Sequence, residues 1–341
     1  MQLYLDSYGA YLNVRNGKFQ VTPKHNEPQS FATDDVDVIF LTEGVTATTD
    51  AMMLALDRSI PVVFLNYLGQ PVGQVWSGRF GSIATIRRNQ LKFADHTEGW
   101  VWMALTLAQK IDNQQLVLRQ LADRFPTLMD ASAQKRLKRA IPTLDGLAKS
   151  LKRYDIVGTD FKRVAMDYRA LEATASRHYF RFLASVMPSD KWRFEARSTH
   201  PARDYFNCLL NYLYGMLYAQ VELALIKVGI DPALGILHVD RYNRPTMVYD
   251  FIEPYRHWAE IVALDLAIED AVHEDGFIPM PEDNTGGLWL GSQAKGVVIG
   301  RFLQFLNESV GFNKKQQKRL IILDMEAQKL ATQLKKNDSM V

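Results

Sequence analysis

One short stretch of the chain carries a histidine and two acids in apolar surroundings. His238 ends the run GILH, and Asp250 and Glu253 follow it after a turn-like segment around Asn243. Imidazole and carboxylate groups can bind a divalent cation or move a proton. Because this cluster has no cysteine, it favours Mn²⁺ or Mg²⁺ over a metal that prefers thiolates. The stretch therefore predicts a candidate site for metal-assisted or acid–base chemistry.

The spacing of the two acids is compatible with a shared site. Residues three apart on a helix lie on one face, so Asp250 and Glu253 can point the same way. The segment from His238 to Asp250 is short enough to fold back as a hairpin-like loop and bring the carboxylates to the histidine. Taken singly, each residue also has a plain structural interpretation. His238 can be a core histidine with a satisfied hydrogen bond. Asp250 and Glu253 can be an acidic pair at a helix N-terminus, with Pro254 just inside the helix.

A third ligand must come from another part of the chain. The helical segment YRALEATASRHYF offers Glu172, which stands among apolar and small residues. An acid in that setting is a candidate ligand, although a solvated or helix-paired glutamate would look the same in sequence. The residues alone leave both interpretations open.

Cationic residues surround these candidates. Taken one at a time they can be solvated surface charges, but cations crowded around an acidic site indicate a polyanionic substrate such as DNA. The predicted DNA-binding residues are Arg177, Lys191, Arg193, Arg197, Arg203, Arg244 and Arg256, and His178, His200, Arg241 and His257 belong to the same basic surroundings.

The elements that would position these residues change in type along the chain. Up to about residue 84, alternating segments predict strands, with a hairpin at Asn16-Gly17 and one short helix in TTDAMMLALDRS. Beyond that point helical spacing dominates, and the predicted helices include PTLDGLAKSL, one from IEPYRHW onward and a last one that begins at KKQQKRL. The sequence thus predicts an α+β protein with an N-terminal β-rich domain, residues 1–84, and a larger all-α catalytic domain, residues 85–341.

Composition limits the class of protein. A chain of 341 residues suggests two domains, and 47% hydrophobic with 23% charged residues is typical of a soluble globular protein. The net charge of +2 permits a nucleic-acid partner without requiring one. The single cysteine, Cys208, excludes an internal disulfide and fits a reducing compartment.

Nothing in the sequence predicts a membrane protein. Residues 206–230 form the most membrane-like stretch, but two asparagines, a glutamine and a glutamate interrupt it. A buried core helix is therefore expected there instead of a membrane span. The N-terminus MQLYLD lacks the basic and long apolar regions of a signal peptide, so we expect a cytoplasmic location.

Several segments, in this order along the chain, resemble a known family. The N-terminal strand–helix–strand region DDVDVIFLTEGV…PVVFLNYLGQPVG comes first, followed by ATIRRNQLKF and KIDNQQLVLRQL, and then by LEATASRHYF, HPARDYFNCLLNYLYG…GIDPALGILH and PTMVYDFIEPYR. Together they are similar to the CRISPR-associated spacer integrase family, CRISPR-associated protein one. The resemblance spans nearly the whole chain, and its motifs are most specific in the C-terminal third.

The resemblance implies that Glu172, His238 and Glu253 bind the metal, with Asp250 as a close acidic neighbour that shares in catalysis. The sequence departs from the family pattern at three places: Ala173 replaces a usual glycine, Tyr205-Phe206 replaces Pro-Val, and Cys208 replaces alanine. These departures concern packing and substrate positioning, and they leave the proposed ligands in place.

The function implied by the resemblance is a metal-dependent DNA integrase and endonuclease that inserts foreign-DNA spacers into a CRISPR array. The reaction would be transesterification by a DNA 3′-hydroxyl, with Mg²⁺ or Mn²⁺ as cofactor and His238 as ligand or leaving-group acid. The implied partners are double-stranded DNA (prespacer and CRISPR repeat or leader), a second copy that binds largely through the β-rich domain, and CRISPR-associated protein two. Two alternatives are a casposase-like transposon integrase and a catalytically silent DNA-binding scaffold.

Overall fold

The computed structural model describes residues 1–24, 26–66, 69, 71–75, 83–199, 201–238, 244–280 and 287–336. These residues form two compact units, Met1–Ser82 and Ile83–Val341. Strands and one helix make up the first unit, and helices dominate the second.

The described residues of the first unit form two four-stranded sheets and a single α-helix. Its elements are β1 (Gln2–Leu5), β2 (Tyr11–Arg15), β3 (Lys18–Thr22), β4 (Gln29–Phe31), β5 (Val38–Thr42), β6 (Thr46–Ala47), α1 (Thr49–Asp57), β7 (Val62–Leu65) and β8 (Pro71–Val75). One sheet has the order β1-β5-β7-β8 and the other the order β4-β3-β2-β6. In the first sheet β1, β5 and β7 run parallel and β8 is antiparallel to β7.

The predicted hairpin at Asn16-Gly17 is confirmed. Strands β2 and β3 pair antiparallel with Arg15 opposite Lys18, which leaves a two-residue turn. Asn16 has φ 53° and Gly17 φ 70°, the left-handed conformation that this turn type requires at both positions.

The core of the first unit forms between its sheets and its helix. Helix α1 begins after Thr48, whose hydroxyl oxygen accepts a hydrogen bond from the Ala51 N–H at 3.2 Å. Ala51 and Ala55 of this helix lie in one buried cluster with Leu12, Ile39 and other side chains of the two sheets. The alternation seen in the sequence therefore corresponds to side chains that pack between layers.

The second unit is mainly helical. Its helices are α2 (Ile83–Ala94), α3 (Thr97–Arg124), α4 (Ala131–Lys152), α5 (Phe161–Ala184), α6 (Tyr205–Lys227), α7 (Thr246–Phe251), α8 (Arg256–Ile268), α9 (Ser292–Asn307) and α10 (Arg319–Lys336). It also contains two small antiparallel pairs, β9 (Phe277–Pro279) with β10 (Leu288–Leu290) and β11 (Ser309–Phe312) with β12 (Lys315–Lys318).

Helix α6 is the centre of the second unit, as its apolar sequence predicted. It packs against α7, α8, α9 and α10. In the part of the chain that the structure describes, it is the one helix long and apolar enough to cross a membrane, and 83% of that apolar window is buried inside the protein. Burial by neighbouring helices explains the composition of α6 without a lipid environment.

Two helix boundaries differ from the sequence prediction. Helix α4 begins at Ala131, where Asp130 accepts the Ala133 N–H at 2.6 Å, and it continues through Pro142. The prediction began this helix at Pro142, so it was too short. Lys315–Lys318 was predicted as helix but forms strand β12, because Asn313 and Lys314 adopt positive φ and make a tight turn. A lysine at such a position gives little turn signal in sequence.

Candidate active site

Two glutamates from distant parts of the chain meet at one lysine. Glu172 lies on α5, Glu253 lies in a short 3₁₀ turn after α7, and Lys110 lies on α3. The Lys110 ammonium forms ion pairs with Glu172 and, at 2.6 Å, with Glu253 Oε2. Glu172 Oε1 also accepts a hydrogen bond from the Ser176 hydroxyl at 2.7 Å. Two of the predicted ligands are therefore held at a common cation.

The charges at this cluster keep Glu253 ionised although it is buried. Burial works to raise the pKa of Glu253, but Arg256 and Lys110 oppose it and lower the pKa to about 2. Arg256 Nε donates to Glu253 Oε1 at 2.9 Å. Burial alone would lower the pKa of Lys110, yet the negative charges of Glu253 and Glu172 outweigh it and raise that pKa. The cluster thus consists of ionised groups that compensate one another.

Helix α3 also fixes the turn that carries Glu253. Asn113, one helical turn beyond Lys110, donates its Nδ2–H to the Pro254 carbonyl at 2.7 Å. The same carbonyl lies 2.8 Å from Nδ1 of His257, which therefore donates its proton to it. One helix consequently holds both the carboxylate of Glu253 and the backbone beside it.

His238 is oriented by Asp250. The Asp250 side chain is completely buried, and its Oδ1 lies 2.6 Å from Nδ1 of His238. Since a carboxylate oxygen can only accept, Nδ1 carries the proton and Nε2 remains the free nitrogen. The His238 side chain is 39% exposed, and the residue lines the cavity described below.

Asp250 also shapes the loop that ends in His238. Its carboxylate accepts the backbone N–H groups of Ile236 at 2.5 Å, Leu237 at 3.0 Å and His238 at 3.3 Å. Helix α7 ends at Phe251, so Asp250 and Glu253 do not lie on one regular helix as the spacing suggested. Asp250 faces the histidine loop, whereas Glu253 faces Lys110.

Side chains from two helices hold the earlier part of this loop. Gln90 on α2 accepts the Asp231 N–H and donates to the carbonyls of Asp231 and Leu234, each at 2.9 Å. Thr246 on α7 accepts the Gly235 N–H at 2.9 Å and donates to the Ala233 carbonyl at 2.5 Å. The position of the imidazole is therefore determined by hydrogen bonds along the whole loop.

Gly235 permits the loop to approach α7 closely. A Cβ atom at this position would lie 2.8 Å from the Thr246 carbonyl carbon, which is closer than real Cβ contacts come. A glycine is required here because backbone meets backbone.

The cluster opens into a cavity of about 800 Å³. Its lining includes Lys110, Glu172, His238, Glu253, Glu260, Tyr214 and the arginines Arg169, Arg177, Arg181, Arg197 and Arg256. Six lysine and arginine side chains against four glutamates in this lining suit a phosphate-bearing substrate.

Arg197 is a half-buried cation on the cavity wall, and its side-chain hydrogen-bond partners are neutral. It donates to the side-chain oxygens of Asn207 at 2.8 Å and Asn211 at 2.5 Å, and its guanidinium lies 5.3 Å from the Tyr214 ring centre. Burial lowers the pKa of Arg197. Asn207 also accepts the Ser198 N–H and donates to the Ala196 carbonyl, and so fixes the segment that carries Arg197.

A buried acid, Glu260, holds Tyr214 of the cavity wall in place. Glu260 accepts hydrogen bonds from the hydroxyls of Tyr179 and Tyr214, each at 2.7 Å. Burial raises the pKa of Glu260. Tyr214 is thereby held in place for its contacts with Arg197 and with Arg256, whose guanidinium lies 5.0 Å from the ring centre.

The other predicted DNA-binding residues lie outside the cavity lining. Lys191 pairs with Asp270 at 2.6 Å and Arg193 with Asp190 at 3.0 Å, so both have protein counter-ions. Arg203 and Arg244 are exposed. A DNA contact by these four residues stays a prediction. His200, Arg241 and the turn around Asn243 fall outside the described residues.

The donor groups fit a hard divalent cation in kind, but they do not yet surround one point. Among the residues that the structure describes, no three His, Cys, Asp or Glu side chains form a ready metal cluster. The Lys110 ammonium lies between the two glutamates instead. Glu253 Oε2 is buried, and its partner among the described residues is the Lys110 ammonium at 2.6 Å. Carboxylate oxygens and an imidazole nitrogen are suitable ligands for Mg²⁺ or Mn²⁺.

Sequence reasoning did not assign a role to the residues that position the candidate ligands. Lys110, Asn113 and Gln90 were noticed only as parts of the segments KIDNQQ and IRRNQ, without a role. Little in the sequence indicated these roles, because Gln90 and Asn113 stand among polar residues and Lys110 resembles a solvated charge on a long helix.

Comparison with known proteins identifies the family. Residues 3–304 match the family model described as CRISPR associated protein Cas1. The chain belongs to the Cas1 family. A CRISPR-associated endonuclease Cas1 of Archaeoglobus fulgidus is 28% identical over 268 residues, which cover 75% of this chain and 74% of the relative. A second such protein, from Methanospirillum hungatei, is 23% identical over 310 residues, and the alignment covers 90% of this chain and 80% of the relative.

Solved structures of Cas1 proteins and a casposase share the fold. A chain of a Cas6-RT-Cas1–Cas2 complex superposes with a TM-score of 0.79 at 21% identity over 99% of this chain, which corresponds to 35% of that longer chain. A casposase bound to integration product gives a TM-score of 0.79 at 19% identity, covering 99% and 91% of the two chains. A Cas1 protein from Thermotoga maritima gives 0.72 at 18% identity, covering 98% and 97%.

Proposed function

We propose that this chain is a metal-dependent DNA integrase and endonuclease that inserts foreign-DNA spacers into a CRISPR array. One observation carries the proposal: Glu172 and Glu253 share a single cation in a cavity of about 800 Å³ that His238 and several arginines also line. Membership of the Cas1 family, and relatives named as endonucleases, support nuclease chemistry at this site.

Glu172, His238 and Glu253 would hold Mg²⁺ or Mn²⁺. When bound, the ion supplies positive charge to the phosphate oxygens as the attacking and leaving bonds change. Asp250 accepts the hydrogen bond from Nδ1–H of His238, so Nε2 is the ring nitrogen that can bind a metal when the imidazole is neutral. We therefore assign His238 the ligand role over the alternative role of leaving-group acid.

The reaction exchanges one phosphodiester for another. The oxygen of an incoming DNA 3′-hydroxyl forms a bond to phosphorus and loses its proton. The bond from phosphorus to the 3′-oxygen of the repeat breaks, and that oxygen gains a proton. No redox partner is needed, so the chain has to position two DNA segments and stabilise charge on the phosphate.

Three of the cavity arginines divide into two roles. Arg256 donates to Glu253 and to the Tyr218 hydroxyl at 2.8 Å, so it positions the carboxylate. Arg197 pairs with no carboxylate among the described residues, and Arg177 is exposed with a hydrogen bond to Thr174 at 3.2 Å. Arg197 and Arg177 are therefore the residues that we assign to DNA phosphates.

Three partners complete the proposal. They are double-stranded DNA, a second copy bound through the strands of the first unit, and Cas2. The structural neighbours include a Cas1–Cas2 assembly and a casposase bound to its integration product, which supports partners of these kinds. A casposase-like transposon integrase would use the same residues on the ends of its own element, and a silent scaffold would bind DNA without joining it.

An integration assay tests the function. Purified protein with Cas2, a labelled duplex with free 3′ ends and a repeat-containing target should yield joined product with Mn²⁺ and none with a chelator. Glu172→Gln and His238→Asn should lose joining while retaining DNA binding in a mobility-shift assay. Glu269→Gln, which alters an exposed pair with Arg301, is the matched control and should retain joining.

The same assay separates the alternatives. Joining of duplexes with terminal inverted repeats, but not of repeat-array targets, would favour a transposon integrase. DNA binding without joining by the wild-type protein would favour the scaffold. Joining by the Glu172→Gln protein would contradict the assigned site.

A further inference from the structure

Lys110 lies where the proposed function needs a divalent cation. Its side chain is only 8% exposed, and its ammonium contacts carboxylates of both Glu172 and Glu253. The two acids come from α5 and from the turn after α7, and in this structure the lysine is the group that joins them.

The Lys110 ammonium and a divalent ion would compete for the same two carboxylates. Glu253 Oε1 accepts from Arg256 at 2.9 Å, which leaves Oε2 as the oxygen that faces Lys110. Glu172 Oε1 is shared by Lys110 and Ser176. A divalent ion bound to these carboxylates would therefore lie within a few ångströms of the ammonium, where like charges repel strongly in a low-dielectric site.

We propose that Lys110 is the resident counter-ion of this site: it holds Glu172 and Glu253 together without metal, and it must leave them for the divalent cation to bind. The inference rests on the proposed function and adds a competitor for its metal. Lys110 lines the cavity, so its flexible stem can turn the released ammonium toward open space without a change of fold.

Metal binding to the wild-type protein and to Lys110→Met tests the competition. Methionine keeps most of the length of the side chain and removes the charge. We expect the variant to bind Mn²⁺ about tenfold more tightly, or more, in a titration of free Mn²⁺ followed by electron paramagnetic resonance. Without metal the variant should unfold at a lower temperature than the wild type, because two buried acids lose a shared cation, and saturating Mn²⁺ should reduce that difference.

Two further variants separate this inference from the proposed function. Lys152→Met removes a half-exposed partner of Asp112 and should leave Mn²⁺ affinity unchanged. Glu172→Gln should abolish Mn²⁺ binding. Equal or weaker Mn²⁺ binding by Lys110→Met, with binding still dependent on Glu172, would overturn the role of Lys110 and leave the metal site standing. Absence of Mn²⁺ binding in the wild type and in Lys110→Met would overturn both.

A measurement on the wild-type chain keeps the inference testable should Lys110→Met fold poorly. Acetylation of lysines by a mild reagent, followed by mass spectrometry, reports how accessible each ammonium is. Lys110 should react faster when Mn²⁺ is added, whereas Lys152 should react at the same rate. A Lys110 rate that Mn²⁺ leaves unchanged or slows would contradict displacement.

Discussion

Replacing Asp250 by asparagine should damage both the stability of the protein and its affinity for metal. The Asp250 carboxylate accepts two backbone N–H groups on Oδ2, from Ile236 and Leu237. On Oδ1 it accepts the N–H and Nδ1–H of His238. Asparagine has the same shape but only one acceptor oxygen, so it cannot satisfy both sides.

Each orientation of the asparagine fails in a different way. With its oxygen toward His238, the NH₂ group faces two N–H donors, and these buried groups lose their partner. With its NH₂ toward His238, the imidazole has to accept at Nδ1 and to carry its proton on Nε2, the nitrogen needed for the metal.

The expected cost follows from the hydrogen bonds that are lost. Hydrogen bonds to a charged group contribute about 1.5–3 kcal/mol each, and either orientation loses two of them. We expect the free energy of unfolding to fall by about 3–5 kcal/mol. Loss of the carboxylate that orients a histidine ligand typically costs about 10–100-fold in metal affinity.

Urea unfolding and a Mn²⁺ titration of the purified variant would measure both effects. Asp265→Asn is a suitable control. Asp265 lies on α8, and its carboxylate pairs with Arg124 of α3 at 3.0 Å but contacts no predicted ligand. The control should retain wild-type affinity for Mn²⁺. An Asp250→Asn protein that unfolds within about 1 kcal/mol of the wild type and binds Mn²⁺ equally well would refute this account of the histidine loop.

Two further predictions concern groups away from the metal cluster. Gln90→Ala removes three hydrogen bonds to the loop that leads to His238, so urea unfolding should show a loss of about 2–3 kcal/mol. Joining should also slow, and an unchanged joining rate would mean that the loop does not need this support. Burial raises the pKa of Glu222 to about 7, so the folded state favours the protonated form and stability should fall as pH rises from about 4.5 to 7. Glu222→Gln should therefore raise the free energy of unfolding at pH 8 by about 1–2 kcal/mol, a value reduced for solvent screening of a partly exposed side chain. The substitution should have no such effect at pH 4. Equal stability of the variant and the wild type at pH 8 would contradict this prediction.

Local patterns predicted the elements that depend on nearby residues. The hairpin at Asn16-Gly17 is specified by two residues that accept positive φ, and helix α6 by an apolar run that needs burial. The tight turn at Asn313-Lys314 has the same backbone requirement, but its second residue is a lysine, so the helical spacing of the following segment dominated the prediction. Turn chemistry with an unusual residue is thus the point at which local reasoning failed.

Three residues of the candidate site were named from the sequence, but the residues that support them were not. Glu172, His238 and Glu253 were proposed from residue chemistry and family resemblance, and all three line one cavity in the structure. Asp250 was expected to share a helical face with Glu253, whereas it is completely buried and serves His238. Its role depends on how the loop folds back, and spacing along the sequence does not carry that information.

Lys110 shows most clearly why the rest needed a structure. In sequence it is a cation on a long helix, which predicts a solvated charge. Its two partners lie 62 and 143 positions further along the chain, so only the packing of α3 against α5 and the turn at Glu253 reveals that it is buried between them. A buried lysine is stable only with compensating charge, which Glu172 and Glu253 supply, while Arg256 balances the second negative charge. Because Lys110 and Arg256 together neutralise the two carboxylates, we expect a divalent cation to bind there only by replacing the lysine.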